Sequence, residues 1–282
     1  MPSSSPFRSC PQCVTRFLAL ALALCLGLAA TAAAGASLGV ASRVGQPQEP
    51  RLGELLKLDA RQVFTAPARW SLGEWGAAGL AVGGLAALAR HEHGDVGAET
   101  EDRHLTVGRF DVLGAQGSLA VLGGFYLAGA ALHDERSKNV ALDGAIASLL
   151  ASGIVTPALK EIAGRSRPHQ SASGHDFNPF SGRASFPSGH TTQAFAVASV
   201  VASEYSSPWV KGVAYGLAGL VGAARVERDA HYLSDVLAGG LIGTLVGREV
   251  AHTNQSRRGD LTVVGSLEPS HPGYGIGWRW SG

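Results

Sequence analysis

Cysteine is nearly absent, and what there is of it is confined to the first 25 residues: Cys10, Cys13 and Cys25. If that segment is a removed leader, the mature chain has no disulfide framework, no thiolate nucleophile and no cysteine metal site. Charge is also scarce. Asp, Glu, Lys and Arg make up 16% of 282 residues, against about 25% in soluble proteins. The formal net charge of +1 lacks the basic excess that a nucleic-acid partner requires. What is abundant is glycine, at 38 residues, within a chain that is 45% hydrophobic. That combination points to tightly packed apolar helices, and it suits a membrane as well as a dense soluble bundle.

The N-terminus reads as an export leader. Arg8 and Arg16 precede FLALALALCLGLAATAAAGAS, with small residues offering cleavage after Ala34 or Ala36. A retained anchor helix is the alternative. Leu24 stands before Cys25, where a lipoprotein-type site would need a small residue, so lipid attachment is not expected. The expected division is a leader over 1–36, a linker and short helix over 37–70 ending near Pro67, a helical domain over 71–252 and a tail over 253–282. Within the domain, six Ala/Gly/Leu-rich segments lie at roughly 75–90, 112–133, 141–160, 188–204, 209–224 and 232–250. The fold class expected is therefore an all-α bundle of about six helices. LTVVGSL and GYGIGWRW around the turn-rich EPSHPG suggest a C-terminal β-hairpin appended to it, or else an unstructured tail.

Polar residues concentrate where these helices end. FPSGH opens the fourth segment: Pro187 suits a first helical position, Ser188 suits a cap, and Gly189 lets a ligand approach the backbone. The free N–H groups there suit an anion, with His190 beside it; a plain capped helix with a surface histidine has the same sequence. Lys160 and Arg167 close the third segment, which suits either an anion site or simple compensation of the helix dipole. Arg225 ends the fifth, and His231 and Asp235 follow with the i,i+4 spacing that puts both on one helical face. A carboxylate so placed can hold one imidazole nitrogen and leave the other free to attack, although a solvated pair would look the same. Gathered at one end of a bundle, these residues form a cationic cradle with two imidazoles, suited to phosphoryl transfer without a metal.

KEIAGRSRP, PSGH and ARVERDAHYLSD resemble, in order and spacing, the three signature motifs of the type 2 phosphatidic acid phosphatase and vanadium haloperoxidase superfamily. The resemblance spans roughly residues 120–250. It implies a helical phosphatase in which His231 attacks phosphorus and forms a phosphohistidine, Asp235 orients it, and His190 protonates the leaving oxygen. Lys160, Arg167, Ser188, Gly189 and Arg225 would bind the phosphate. One departure is Ala224, where the third motif usually has serine. No cofactor or metal is implied for the phosphatase. The haloperoxidase alternative would use His231 as a vanadium ligand, and a non-catalytic membrane component is a further alternative. The expected partners are a lipid phosphate or small phosphorylated substrate and a membrane, not nucleic acid. The favoured location is a periplasmic bundle resting on a membrane, with an integral inner-membrane protein as the alternative. HEHGD, from His91, reads as an exposed acidic loop in preference to a metal site, and Phe177, Phe180 and Phe186 either shape an entrance or anchor a loop.

Overall fold

The computed structural model describes residues 52–94 and 107–265. Among them the order is α1 (Leu52–Thr65), a 3-10 turn (Ala66–Arg69), α2 (Leu72–His91), a 3-10 helix (Gly108–Leu113), α3 (Ala115–Leu132), α4 (Glu135–Ala163), α5 (Gly189–Glu204), α6 (Pro208–Glu227) and α7 (Leu233–Gly265). The six expected segments are α2 to α7, and no strand occurs among the described residues. The leader lies outside the described residues. The first arm expected for a C-terminal hairpin, Leu261–Gly265, is instead the end of α7; the second arm falls outside. An apolar β-branched run was read as a strand, but here it continues a helix already running for seven turns, and propagation costs less than a new start.

Boundaries follow local chemistry. Ser71 caps α2 through a reciprocal capping box with Glu74, and Asp134 caps α4 by accepting from the backbone N–H groups of Arg136 and Ser137. α4 widens to a π-helical stretch over Leu149–Val155 just before Thr156 and Pro157. Pro157 has no N–H to continue the ladder, and the wider turn accommodates that loss. Gly164 ends α4 in the left-handed conformation at φ 54°, donating to the Lys160 carbonyl at 2.8 Å.

α5 is the axis. It is buried on nearly every side, packing against α3, α4, α6 and α7, as expected for a helix apolar all round. Val197 and Val201 meet Leu122, Phe125 and Val140; Ala196 and Val200 meet Leu150, Val246 and Val250; Ala194 and Ala198 meet Ala218 and Val221. Its closest neighbour is α7. Gly239, Gly243 and Gly247 form a stripe four residues apart, and a Cβ at each would run into the carbonyl oxygens of Ser188, Thr192 and Ala196 respectively. The two backbones therefore touch along three turns, which sets the start of α5 against the start of α7. Three of the 38 glycines find their reason here.

Outside this core many large apolar side chains are exposed. α2, α3 and α4 are each long and apolar enough to cross a membrane. α2 is the clearest case: Leu72 is 93%, Leu80 80% and Val82 67% exposed.

Candidate active site

Adjacent helices run in opposite directions, so the ends of α4 and α6 meet the starts of α5 and α7, and all three motifs arrive at one end of the bundle. Lys160 lies in the last turn of α4 and donates through Nζ to the Ala184 carbonyl. Arg225 lies in the last turn of α6. His231 follows in the tight connection to α7, whose first turn carries Asp235. Lys160, Arg167 and Arg225 are all close enough to act electrostatically on His190. Every residue expected of the cradle is therefore brought together.

The PSGH stretch differs in one detail from its sequence reading. Pro187 follows a cis peptide and stands outside the helix; Ser188 is the N-cap, Gly189 the first helical residue and His190 the second. Ser188 makes no side-chain cap. Its N–H donates to the Asp235 carbonyl at 3.0 Å, and its Oγ accepts from Thr191 Oγ1 at 3.0 Å. The first N–H groups of α5 are thus left without a capping side chain, as an anion site requires. His190 packs against Gly114, where any Cβ would collide with the imidazole ring. Burial holds His190 below the ordinary imidazole value, with the positive charge of Arg225 adding to this and Asp111 opposing it.

Asp235 is completely buried and fully engaged. Oδ2 accepts from Ser185 Oγ at 2.5 Å and from the Tyr232 N–H at 3.0 Å; Oδ1 accepts from Arg165 Nη1 at 2.5 Å. Burial opposes its charge, yet these donors and His231 keep its carboxyl below the ordinary value. His231 Nδ1 lies 3.6 Å from Asp235 Oδ2, beyond hydrogen-bond range, and is buried without a partner. Burial likewise holds His231 below its ordinary value, with Asp235 opposing that and Lys160 and Arg225 reinforcing it. The site thus sets one imidazole beside a buried carboxylate and within the field of two cations.

Three participants were missed in the sequence. Asp111, a lone carboxylate ahead of an apolar helix, accepts from Arg225 Nη1 through both oxygens at 2.7 Å. Arg165 stood inside the first motif but was overshadowed by Lys160 and Arg167. It is wholly buried, lying 4.2 Å from the Tyr232 ring centre and 5.1 Å from that of Phe177. Glu92 belongs to HEHGD, and the exposed-loop reading fails for this residue while His91 and His93 are exposed. Its carboxylate pairs with Arg165 at 2.9 Å and accepts from Ser234 N at 2.8 Å and Ser234 Oγ at 2.6 Å. Phe177 packs edge-on against Phe186, while Phe180 stays exposed at a positive φ of 61°.

Parts of this chain are similar to known proteins. Residues 144–258 match the PAP2 superfamily model. A lipid A 1-phosphatase of Porphyromonas gingivalis is 45% identical over 65 residues, which cover 22% of this chain and 15% of that protein. A lipid A 1-phosphatase of Rhizobium etli is 40% identical over 96 residues, 31% of this chain and 39% of that protein. The matches thus span well under half the length of either curated relative. A crystal structure of a transmembrane PAP2 type phosphatidylglycerolphosphate phosphatase from Bacillus subtilis aligns over 73% of this chain and 96% of its own, with 22% identity and a TM-score of 0.42. The matched region holds Lys160, Arg167, the PSGH helix start, Arg225, His231 and Asp235, so the stretch of this chain that is similar to the PAP2 superfamily is the one that carries the site.

Proposed function

We propose that this chain is a membrane-embedded phosphatase that hydrolyses a lipid phosphate monoester or diphosphate through a phosphohistidine intermediate, without a metal. The observation that carries the reading is the unpartnered Nδ1 of His231, buried beside Asp235 and facing the charges of Lys160 and Arg225. A lipid substrate is supported by the relatives named lipid A 1-phosphatases and by the three apolar helices with exposed faces, α2 above all. Those faces favour an integral protein over the surface-resting periplasmic bundle expected from the sequence. Leader cleavage after Ala34 or Ala36 stays a proposal, read by N-terminal sequencing.

In the proposed reaction His231 Nε2 attacks phosphorus and the bond to the leaving oxygen breaks. Asp235 takes up the Nδ1 proton as a hydrogen bond, which stabilises the cationic ring. Lys160, Arg167, Arg225, the Ser188 hydroxyl and the Gly189 N–H hold the phosphate oxygens, matching the charge that builds during transfer. His190 protonates the leaving oxygen; the arriving phosphate and Asp111 favour the charged form that burial alone disfavours. Water then attacks the phosphohistidine, with His190 accepting its proton, and phosphate departs. The test is leaving-group dependence. His190→Ala is expected to lose roughly 10²–10⁴-fold on an alkyl or lipid phosphate but far less on an activated aryl phosphate. Hydrolysis should also persist in a strong chelator; equal impairment on both substrates, or rescue only by a divalent ion, would overturn the corresponding role.

A further inference from the structure

The three carboxylate, guanidinium and hydroxyl groups behind Asp235 form one connected unit. Arg165 divides its donors: Nη1 goes to Asp235 Oδ1 at 2.5 Å and Ser234 Oγ at 2.6 Å, while Nη2 goes to Glu92 Oε2 at 2.9 Å and, with Nε, to the Gly174 carbonyl. Glu92 closes the circuit by accepting from both the N–H and the hydroxyl of Ser234. Ser234 is the second residue of α7, so Glu92, from the end of α2, caps the helix whose first turn carries Asp235. Arg165 is fully buried and the Glu92 side chain is 11% exposed, so their charges are little screened by solvent.

We propose that Glu92 is a positioning residue for the phosphoryl-transfer site, sharing the charge of Arg165 so that Asp235 stays free to support a cationic His231. This rests on the reading of His231 and Asp235 as nucleophile and partner. The charge balance gives the reason. Beside His231 stand Asp235 from α7, Lys160 from α4 and Arg225 from α6, with Arg165 behind Asp235. Facing Glu92 are Arg165 and Ser234. With Glu92 present, the Glu92–Arg165–Asp235 group carries one net negative charge. Without that carboxylate it is neutral, and an imidazolium beside it is less stable. The ring becomes cationic as Nε2 bonds to phosphorus, so the cost falls on the chemical step. Phosphate binding, which belongs to Lys160, Arg167, Arg225 and the α5 start, is untouched.

The experiment compares full-length wild type, Glu92→Gln, Glu92→Asp and Ser234→Ala in detergent or lipid nanodiscs. Glu92→Gln should lower kcat by about tenfold with KM for a given phosphate little changed, and should move the His231 titration to lower pH by roughly half a unit. Glu92→Asp, which keeps the charge, should restore the titration. Ser234→Ala removes a hydroxyl but no charge and should leave the titration where it is in wild type, so it tests the proposal even if Glu92→Gln does not fold. The titration is read from ¹⁵N-histidine NMR, with His231 assigned by its loss in His231→Ala. This readout does not need turnover: inactivity of the wild type on every phosphate would defeat the proposed function, while the titration would still report on Glu92. An unmoved titration in Glu92→Gln, or an equal shift in Ser234→Ala, overturns the proposal.

Discussion

The bundle holds a buried polar cluster at each end, and the two differ in how completely they are satisfied. At the end away from the motifs, Asn254 donates to Asp59 at 3.0 Å and to Asp143 at 3.0 Å, Arg257 pairs with Asp59 at 2.6 Å, and Arg258 spans Asp143 and Glu204. That network ties α1, α4, α5 and α7 together, and none of its described side-chain atoms is both buried and unpaired. At the motif end, His231 Nδ1 and Arg225 Nε are buried with no partner. Unmet hydrogen-bonding capacity is costly, so a closed cluster holds a fold together whereas an open one is kept for a ligand.

Substitutions should separate the two ends, and the largest effect belongs to the nucleophile. His231→Ala should lose about four powers of ten or more in turnover while melting near the wild-type temperature; activity within tenfold of wild type would return this end to a structural role. Arg225→Ala should follow, with kcat/KM for a phosphate ester down about 10²–10³-fold and vanadate, a mimic of the five-coordinate phosphorus, bound more weakly. Asp143→Ala should do the reverse. It takes one of two carboxylate partners from Asn254 and from the partly exposed Arg258, so a loss of about 2 kcal/mol is expected in a denaturation assay, with kcat per folded molecule unchanged. A fall in kcat with stability intact would erase the distinction between the ends.

The smallest effect is in the pH profile. His231 must be neutral to attack, and burial lowers its value below the ordinary 6.5. The neutral form therefore survives into more acid solution than for a free imidazole, and the acid limb of kcat/KM should lie below pH 6.5. A limb above that value would show burial and the positive field of Lys160 and Arg225 together to be outweighed by Asp235.

Legibility in the sequence followed interaction range. Helix positions were readable because apolar runs and their breaks are local, and the motif residues because their spacing is. The third segment was placed too late, at 141 instead of Glu135, because the polar start ERSKN hides a helix that Asp134 caps. Glu92 was misread for the opposite reason. Nothing near HEHGD announces a carboxylate turned inward; its partners Arg165 and Ser234 are 73 and 142 residues away. Asp111 was invisible on the same grounds, its contact with Arg225 spanning 114 residues. Arg165 was in plain view, but one arginine of a pair two apart had to be chosen for the phosphate, and only the fold shows that the other faces inward.

The glycine stripe of α7 has a counterpart on the same helix. Leu237, Leu241 and Leu245 repeat at the same interval as Gly239, Gly243 and Gly247, and they are 50%, 42% and 47% exposed. Bulk is turned outward and smallness inward, the inverse of a helix lying on a water-soluble core. Tolerance to substitution should be inverted with it: a leucine on the outer row, about half exposed, can exchange for isoleucine, valine or phenylalanine at little cost. A single added methyl on the inner row must pry two backbones apart. Because that seam runs from Ser188 at one lip of the proposed phosphate site, a wedge at Gly247 would be felt as a gap between His190 and Asp235, several turns from where it was driven in.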